Sequence, residues 1–271
     1  MCKALCVSRS GYYNWVDRPK SNRQRYNESL IEQIKNIHCE SRGVYGAIKT
    51  WKTLNQQGFA CGLNKVRRLR QSIGIIAQRM KRFRLIQQGR RTHSVPAKNI
   101  IAQDFQADKL NQKWVCDTTF IPTRKGWLYL ATVIDLYSRK VVGWSMSKKN
   151  DKKLVIDALQ MAINRRKPKK GLLCHSDQGV QYASGDYKSI LAKYKIIQSM
   201  SRKGCCWDNA VAESFFNNIK NEMVFNSKYN CQNEARAAIF DYIEIFYNRQ
   251  RIHQSLDYKT PNEFEKLNFV A

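Results

Sequence analysis

KWVCDTTFIPT (113–123), LYLATVIDLYS (128–138) and KVVGWSMSK (140–148) follow one another with only short turns between them. All three are rich in β-branched and aromatic residues, which suit a pleated, half-buried surface, and they predict three consecutive antiparallel strands. Downstream the period changes. DKKLVIDALQMAINRR (151–166) reads as a helix, GLLCHSD (171–177) as a buried strand ending on a carboxylate, and IIQSMS (196–201) as another strand after a helix. Long helices are predicted at about 209–225 and 233–250. The order βββ-α-β-α-β-α-α describes an α/β protein of the α+β kind, a mixed sheet flanked by helices.

Upstream, the pattern is helical. Leu30, Ile31, Ile34 and Ile37 recur at amphipathic spacing between Asn27 and Ser41, and Ile48, Trp51 and Leu54 repeat it between Tyr45 and Gln57, with Gly58 as a stop. After the connection GFACG, Asn64 is placed to cap a third helix, which turns Val66, Leu69 and Ile73 inward and Lys65, Arg67, Arg68 and Arg70 to other faces. Two helices joined by a short glycine-bearing turn, the second strongly basic, form the pattern of a helix-turn-helix. The alternative is a helical bundle with a solvated basic face. The run Arg79, Lys81, Arg82, Arg84, Arg90 and Arg91 favours the DNA-binding version.

Charge divides the chain in the same way. Its 271 residues carry 48 Lys and Arg against 21 Asp and Glu, a net +27, of which +16 falls within residues 1–104. We read a basic helical DNA-binding region at 1–91, a polar linker at 92–112 and a larger domain at 113–271. So large a positive excess is self-repulsive unless a polyanion shares the surface, which points to nucleic acid. The 43% hydrophobic content excludes a disordered basic tail. No apolar run approaches the ~20 residues of a spanning helix, so no membrane partner is expected. No secretory signal is visible, and the nine cysteines include no CxxC pair. Reduced thiols in a cytoplasmic protein are therefore expected rather than disulfides or structural zinc.

Three carboxylates are placed unusually. Asp117 interrupts the first apolar strand, Asp177 ends GLLCHSD, and Glu213 lies in the helix NAVAESFFNNIKNEM. A carboxylate in an apolar strand needs a cation to compensate it. If the first and fourth strands are neighbours, Asp117 and Asp177 stand side by side, and a divalent ion would relieve their repulsion. Ligands that are all oxygen select Mg²⁺ or Mn²⁺. Seven residues separate Glu213 from Lys220, about two turns, so Asn217 and Lys220 share its stripe. That stripe serves metal and phosphate, or is merely solvated. Phe215, Phe216, Ile219 and Met223 fall on other faces to pack. Asp208 and Asn209 read as helix caps and Glu222 as facing away. Asp135 reads as a hairpin support or a partner of Arg139, with contact to the metal as the lesser alternative, and His175 as structural, with a place in the pocket lining as its lesser alternative. No Walker loop, dinucleotide fingerprint or nucleophile elbow is present.

Asp117, Asp177 and Glu213, with 35 residues between the last two, resemble the D,D-35-E signature of retroviral-integrase-like transposases. The stretches WVCDTTFIPT, VIDLYSRKVVGW, HSDQGVQYAS, SRKGCCWDNAVAESFFNNIKNE and YIEIFYNRQRIHQSLDYKTPNEF resemble the second-frame protein of the IS3 family of bacterial insertion sequences. CVSRSGYYNW and YGAIKTW also fit its basic N-terminal region. The resemblance implies an RNase H-like core and a transposase that cuts and joins DNA at element ends. It implies Asp117, Asp177 and Glu213 as catalytic metal ligands for two Mg²⁺ or Mn²⁺ ions, roughly 3.5–4 Å apart, that drive phosphoryl transfer. Lys220 would contact terminal DNA, with Asn217, Lys65, Arg67, Arg68 and Arg70 as further DNA contacts. The implied partners are the element's terminal inverted repeats, target DNA, further copies of the chain, and a first-frame protein or fusion segment. The alternative is a non-catalytic DNA-binding regulator made by the element.

Overall fold

The computed structural model describes residues 2, 4–78, 96–202 and 205–268, which fall into two compact units, Met1–Gln78 and Arg79–Ala271. The basic run from Arg79 to Arg91 and residues 92–95 of the expected linker lie outside the described residues.

The first unit contains four helices: α1 (Arg9–Val16), α2 (Asn22–Glu40), α3 (Ala47–Gln56) and α4 (Leu63–Ser72). Helix α2 starts five residues earlier than its apolar stripe suggests, because Ser21 Oγ accepts the Gln24 amide as an N-cap. Leu30, Ile34 and Ile37 of α2 meet Leu54 of α3 and Val66 and Leu69 of α4 in a small core. Three expectations need correction. Gly62, not Asn64, precedes α4, and Asn64 Oδ1 instead receives Arg67 Nη1 at 3.4 Å. Ile48 points outward and Thr50 inward, so the buried stripe of α3 is Thr50 and Leu54. Arg70 is buried, four residues after Val66 on the inner face, and donates to Thr50 Oγ1 at 2.8 Å. Helix α1 buries no side chain and was not foreseen.

The second unit is built on a five-stranded sheet in the order β3-β2-β1-β4-β5. Strands β1 (Lys113–Thr123), β2 (Gly126–Asp135) and β3 (Val141–Ser147) form an antiparallel meander, and β4 (Leu173–Ser176) and β5 (Ile197–Met200) add in parallel beside β1. This is the mixed sheet that the sequence predicts. Helix α5 (Lys152–Arg166), capped by Asp151, buries Leu154, Val155, Ala158, Leu159, Ala162 and Ile163 against the sheet. Gly143 of β3 permits that approach, since a Cβ there would stand 2.3 Å from the Ala158 carbonyl oxygen. Helix α6 (Gly185–Lys193) joins β4 to β5 and α7 (Ala210–Glu222) follows β5. Helix α8 (Gln232–Phe240) then runs into a π-helical stretch, Asp241–Tyr247, where one continuous helix was expected. Residues 96–112 are not a free linker: Ile101 is buried and the Ile100 amide donates to Ser199 Oγ at 2.9 Å.

The C-terminal segment is fastened to the sheet by polar contacts. Asn248 clamps both backbone groups of Val141 at 3.0 Å, and Arg251 grips Glu222 at 2.6 Å, with Tyr242 donating to the same carboxylate. Helix α9 (Pro261–Asn268), also unforeseen, sets the buried Glu265 against Lys140, Arg166 and Ser138. No helix among the described residues is long and apolar enough to cross a membrane.

Candidate active site

The pairing of β1 with β4 determines the site. Their parallel register ends at Cys116 opposite Ser176, so the next residue on each strand is an aspartate, Asp117 and Asp177. Asp117 remains in β1, paired on its other side with Thr132 of β2. Asp177 leaves β4 into a turn, where its Oδ1 accepts the Gly179 amide at 3.0 Å. That turn tolerates little else, because a Cβ on Gly179 would lie 2.9 Å from the same oxygen. Asp177, just past the carboxyl end of β4, occupies the crevice position typical of α/β sites, and Asp117 flanks it from within β1, where the parallel ladder ends.

Both aspartates are half-buried and electrostatically strained. Burial pushes Asp117 well above the usual carboxylate range. The charge of Asp177 pushes it further and Glu213 adds a smaller push, while the Thr118 amide and Lys220 oppose. Burial also raises Asp177, against the Gly179 hydrogen bond. Glu213, in the first turn of α7, is raised by burial. Lys220, two turns along the same helix, is buried rather than lying on a solvated stripe. Its Nζ stands 5.1 Å from the centre of the Phe120 ring. Burial lowers its pKa, partly offset by Asp117. Phe215, Phe216 and Ile219 pack inward as expected, and Asn217 is exposed.

The three acids do not form one closed cluster: among the described residues, no three His, Cys, Asp or Glu side chains are grouped closely enough to hold a metal ion. The aspartates are register neighbours, and Glu213 is near enough for its charge to act on Asp117. The donor set suits a hard divalent cation. Its ligands are all oxygen, and two adjacent carboxylates are penalised for their charge in a setting that a cation would reverse. A separate cavity of about 220 Å³, lined by Lys140, Arg165, Arg166 and Arg249 among others, holds none of the three acids.

The other acids have structural duties. Asp135 is buried and accepts from the Asn111 and Tyr137 amides and from Trp114 Nε1, beside the first residues of β1. Asp208 does not cap α7; it is buried and holds Arg202, Asn99 and Gln103. Asn209 makes no side-chain cap bond either. Glu222 faces away toward Arg251, as anticipated. His175 is buried, with Nδ1 2.9 Å from Ser199 Oγ. In the first unit Arg67 and Arg68 are exposed and Lys65 is half-buried over the Tyr26 ring. Buried Arg70 is not available on that surface.

A helical unit followed by a mixed sheet that presents two aspartates side by side on adjacent parallel strands defines a class. Residues 25–83 match the family model described as HTH-like domain, and residues 107–206 and 194–261 match two models described as integrase core domain. The core is thus of the integrase, RNase H-like kind. Among known proteins, the chain is 40% identical over its full length to the transposase InsF for insertion sequence IS3A of Escherichia coli, covering 94% of that protein. It is likewise 40% identical to an uncharacterized 31 kDa protein of insertion element IS600 from Shigella sonnei, with 100% of both covered. It is 41% identical to the transposase for IS904 of Lactococcus lactis, over 93% of this chain. The chain belongs to the IS3 family of insertion-sequence transposases. Among solved structures, the HTLV-2 integrase catalytic core domain in complex with magnesium aligns at 20% identity with a TM-score of 0.46, over 59% of this chain and 99% of that one.

Proposed function

We propose that this chain is a divalent-metal-dependent DNA transposase that cleaves and rejoins phosphodiesters at the ends of its insertion sequence. The observation that carries the reading is the β1–β4 register, which sets Asp117 beside Asp177, where burial and the neighbouring charge outweigh the opposing Thr118 amide and Lys220 at Asp117. Asp117, Asp177 and Glu213 would hold the metal. Bound there, Mg²⁺ or Mn²⁺, two ions per site, supplies Lewis-acid stabilisation of the phosphodiester oxygens and a lower pKa for the attacking hydroxyl. In this scheme Asp117, Asp177 and Glu213 would supply only carboxylate oxygens to the ions, which suits hard divalent cations.

The remaining residues position these three. Gly179 fixes the Asp177 carboxylate through its amide, and Thr118 does the same for Asp117 at 2.7 Å. Lys220 presents a buried cation on the Asp117 side, a counter-charge for the acids and for the incoming terminal phosphate. In the first step water attacks phosphorus and the P–O3′ bond breaks, leaving a 3′-hydroxyl. In the second that hydroxyl attacks a target phosphodiester, whose own 3′ oxygen departs with a proton. One ester bond is exchanged for another, so strand joining needs no nucleotide cofactor and no covalent enzyme intermediate. The first unit, with exposed Arg67 and Arg68 on α4, supplies duplex contacts. Further copies of the chain and the first-frame protein complete the assembly.

The test is a strand-transfer assay. The purified chain, with and without the first-frame protein, is incubated with labelled, pre-cleaved terminal-repeat DNA, plasmid target and Mn²⁺, beside Glu213→Gln. Joined product from the wild type alone supports the proposal. Hydrolysis without joining indicates a plain nuclease, and tight binding without any chemistry indicates a regulator; either result refutes it.

A further inference from the structure

One group of contacts just before the Glu213 helix has no part in that scheme. Asp208, fully buried, accepts five hydrogen bonds: from the Arg202 amide at 2.9 Å, Arg202 Nε and Nη2 at 3.1 Å each, Asn99 Nδ2 at 2.9 Å and Gln103 Nε2 at 3.0 Å. Its own amide donates to the Cys205 carbonyl at 3.3 Å. Chain segments about a hundred residues apart are thereby fastened to one turn, Cys206–Asn209, which leads directly into α7. Arg202 holds the carboxyl of Asp208 well below the usual range, as expected for a carboxylate whose lone pairs are this fully used.

This firmly held turn exposes Trp207. Its side chain is 72% accessible, and it makes no hydrogen bond or ring contact among the described residues. An indole left in water on an anchored turn forgoes a large burial gain, and nothing in the packing of the core calls for it. Its position along the chain is informative. Trp207 stands six residues before Glu213, on the turn that leads into the helix carrying that acid. Its neighbour Arg202 is paired with Asp208, yet its side chain is 63% exposed, so that its outward edge can meet a phosphate.

We propose that Trp207 is a nucleobase-stacking residue, which receives a base of the terminal DNA near the phosphodiester presented to Asp117 and Asp177. The inference rests on the reading of the acid pair as a DNA-processing site. Stacking suits the task because every base has a π-face, so one indole grips a terminal base without demanding its identity. Withdrawing a base from the duplex end would free the scissile phosphate to approach the acids. The rigidity of the Asp208 turn holds the indole ready before DNA arrives.

The experiment uses the full chain in an Asp177→Asn background, with terminal-repeat duplexes carrying 2-aminopurine at each of the last three positions. Anisotropy reports binding and 2-aminopurine fluorescence reports unstacking. The protein is expected to change the fluorescence at one position. Trp207→Ala should abolish that change and Trp207→Phe retain most of it, with melting temperature unaltered because the side chain is exposed. In the active chain Trp207→Ala is expected to slow strand transfer about tenfold. Unchanged fluorescence in Trp207→Ala, with DNA still bound, overturns the stacking role and leaves the transposase reading intact. So does a change in sedimentation with unchanged fluorescence, which would mark Trp207 as a contact between copies. A chain that binds no duplex at all overturns both.

Discussion

Replacing Asp177 by Asn in metal-free protein is expected to stabilise the core, because the fold places two carboxylates on adjacent strands. Strand spacing is ~4.8 Å, and two charges about 5 Å apart at an effective dielectric of about 20 repel by about 3 kcal/mol. Solvent screening at half-buried positions removes roughly half of this. The weakened hydrogen bond from the Gly179 amide subtracts about 0.5 kcal/mol more. The net gain is about 1 kcal/mol, or a rise of roughly 2–4 °C in melting temperature for a domain of this size. Saturating Mg²⁺ or Mn²⁺ should reverse the order. At a hundredfold excess over its dissociation constant a ligand adds about 2.7 kcal/mol to the protein that binds it, and the Asn variant forfeits most of that. The assay is thermal denaturation of both proteins by circular dichroism, in EDTA and in metal. An Asp177→Asn protein that melts below wild type in EDTA, or that shares the full metal-induced rise, would refute the reasoning.

Other predictions concern the supporting structure. Gly143→Ala drives a methyl group into the backbone of α5, and should cost about 3 kcal/mol and lower the melting temperature by roughly 6–12 °C; a shift under 2 °C would mean that α5 is more loosely seated. Glu222→Gln removes one partner of a buried ion pair with Arg251, for which a loss of about 3–5 kcal/mol by urea denaturation is expected, with metal binding unaffected. Burial lowers the pKa of His175 to about 4 from about 6.5 in the unfolded chain. The unfolded state therefore binds the extra proton first. Stability is complete above pH 6.5 and declines by about 3 kcal/mol as pH falls to 4. His175→Asn should flatten melting curves across that window, and an equally steep decline in the variant would assign the effect elsewhere.

The sequence was most legible where one strong periodicity acted alone. Strand β1 spans the residues read from its β-branched pattern, and the neighbouring of β1 and β4, posed as a condition, is met by the sheet order. Reading failed where partners are distant or burial is polar. Asp208 looks like a cap because it precedes a helix, and its partners Asn99 and Gln103 lie over a hundred positions earlier. Arg70 and Lys220 looked solvated because both are cationic. Yet Arg70 falls four residues after Val66 and Lys220 four after Phe216, spacing that already places each on the packed face of its helix. Ile48 was read as core because it is apolar, but the single turn between Thr50 and Leu54 faces α2 and α4. The π-helical stretch at Asp241–Tyr247 has no compositional mark, since its apolar residues satisfy an α-helical stripe about as well. Glu213 was read from its helix, but a stripe on one helix does not specify how far it stands from two strand ends.

The most direct measurement is an anomalous difference map from crystals of the full chain with terminal DNA and Mn²⁺. The account predicts density bridging the Asp117 and Asp177 carboxylates at about 2.0–2.3 Å, with Glu213 drawn in to a second ion. Saturating Mn²⁺ that leaves the space between those two aspartates empty, or that binds elsewhere on the core, would contradict it.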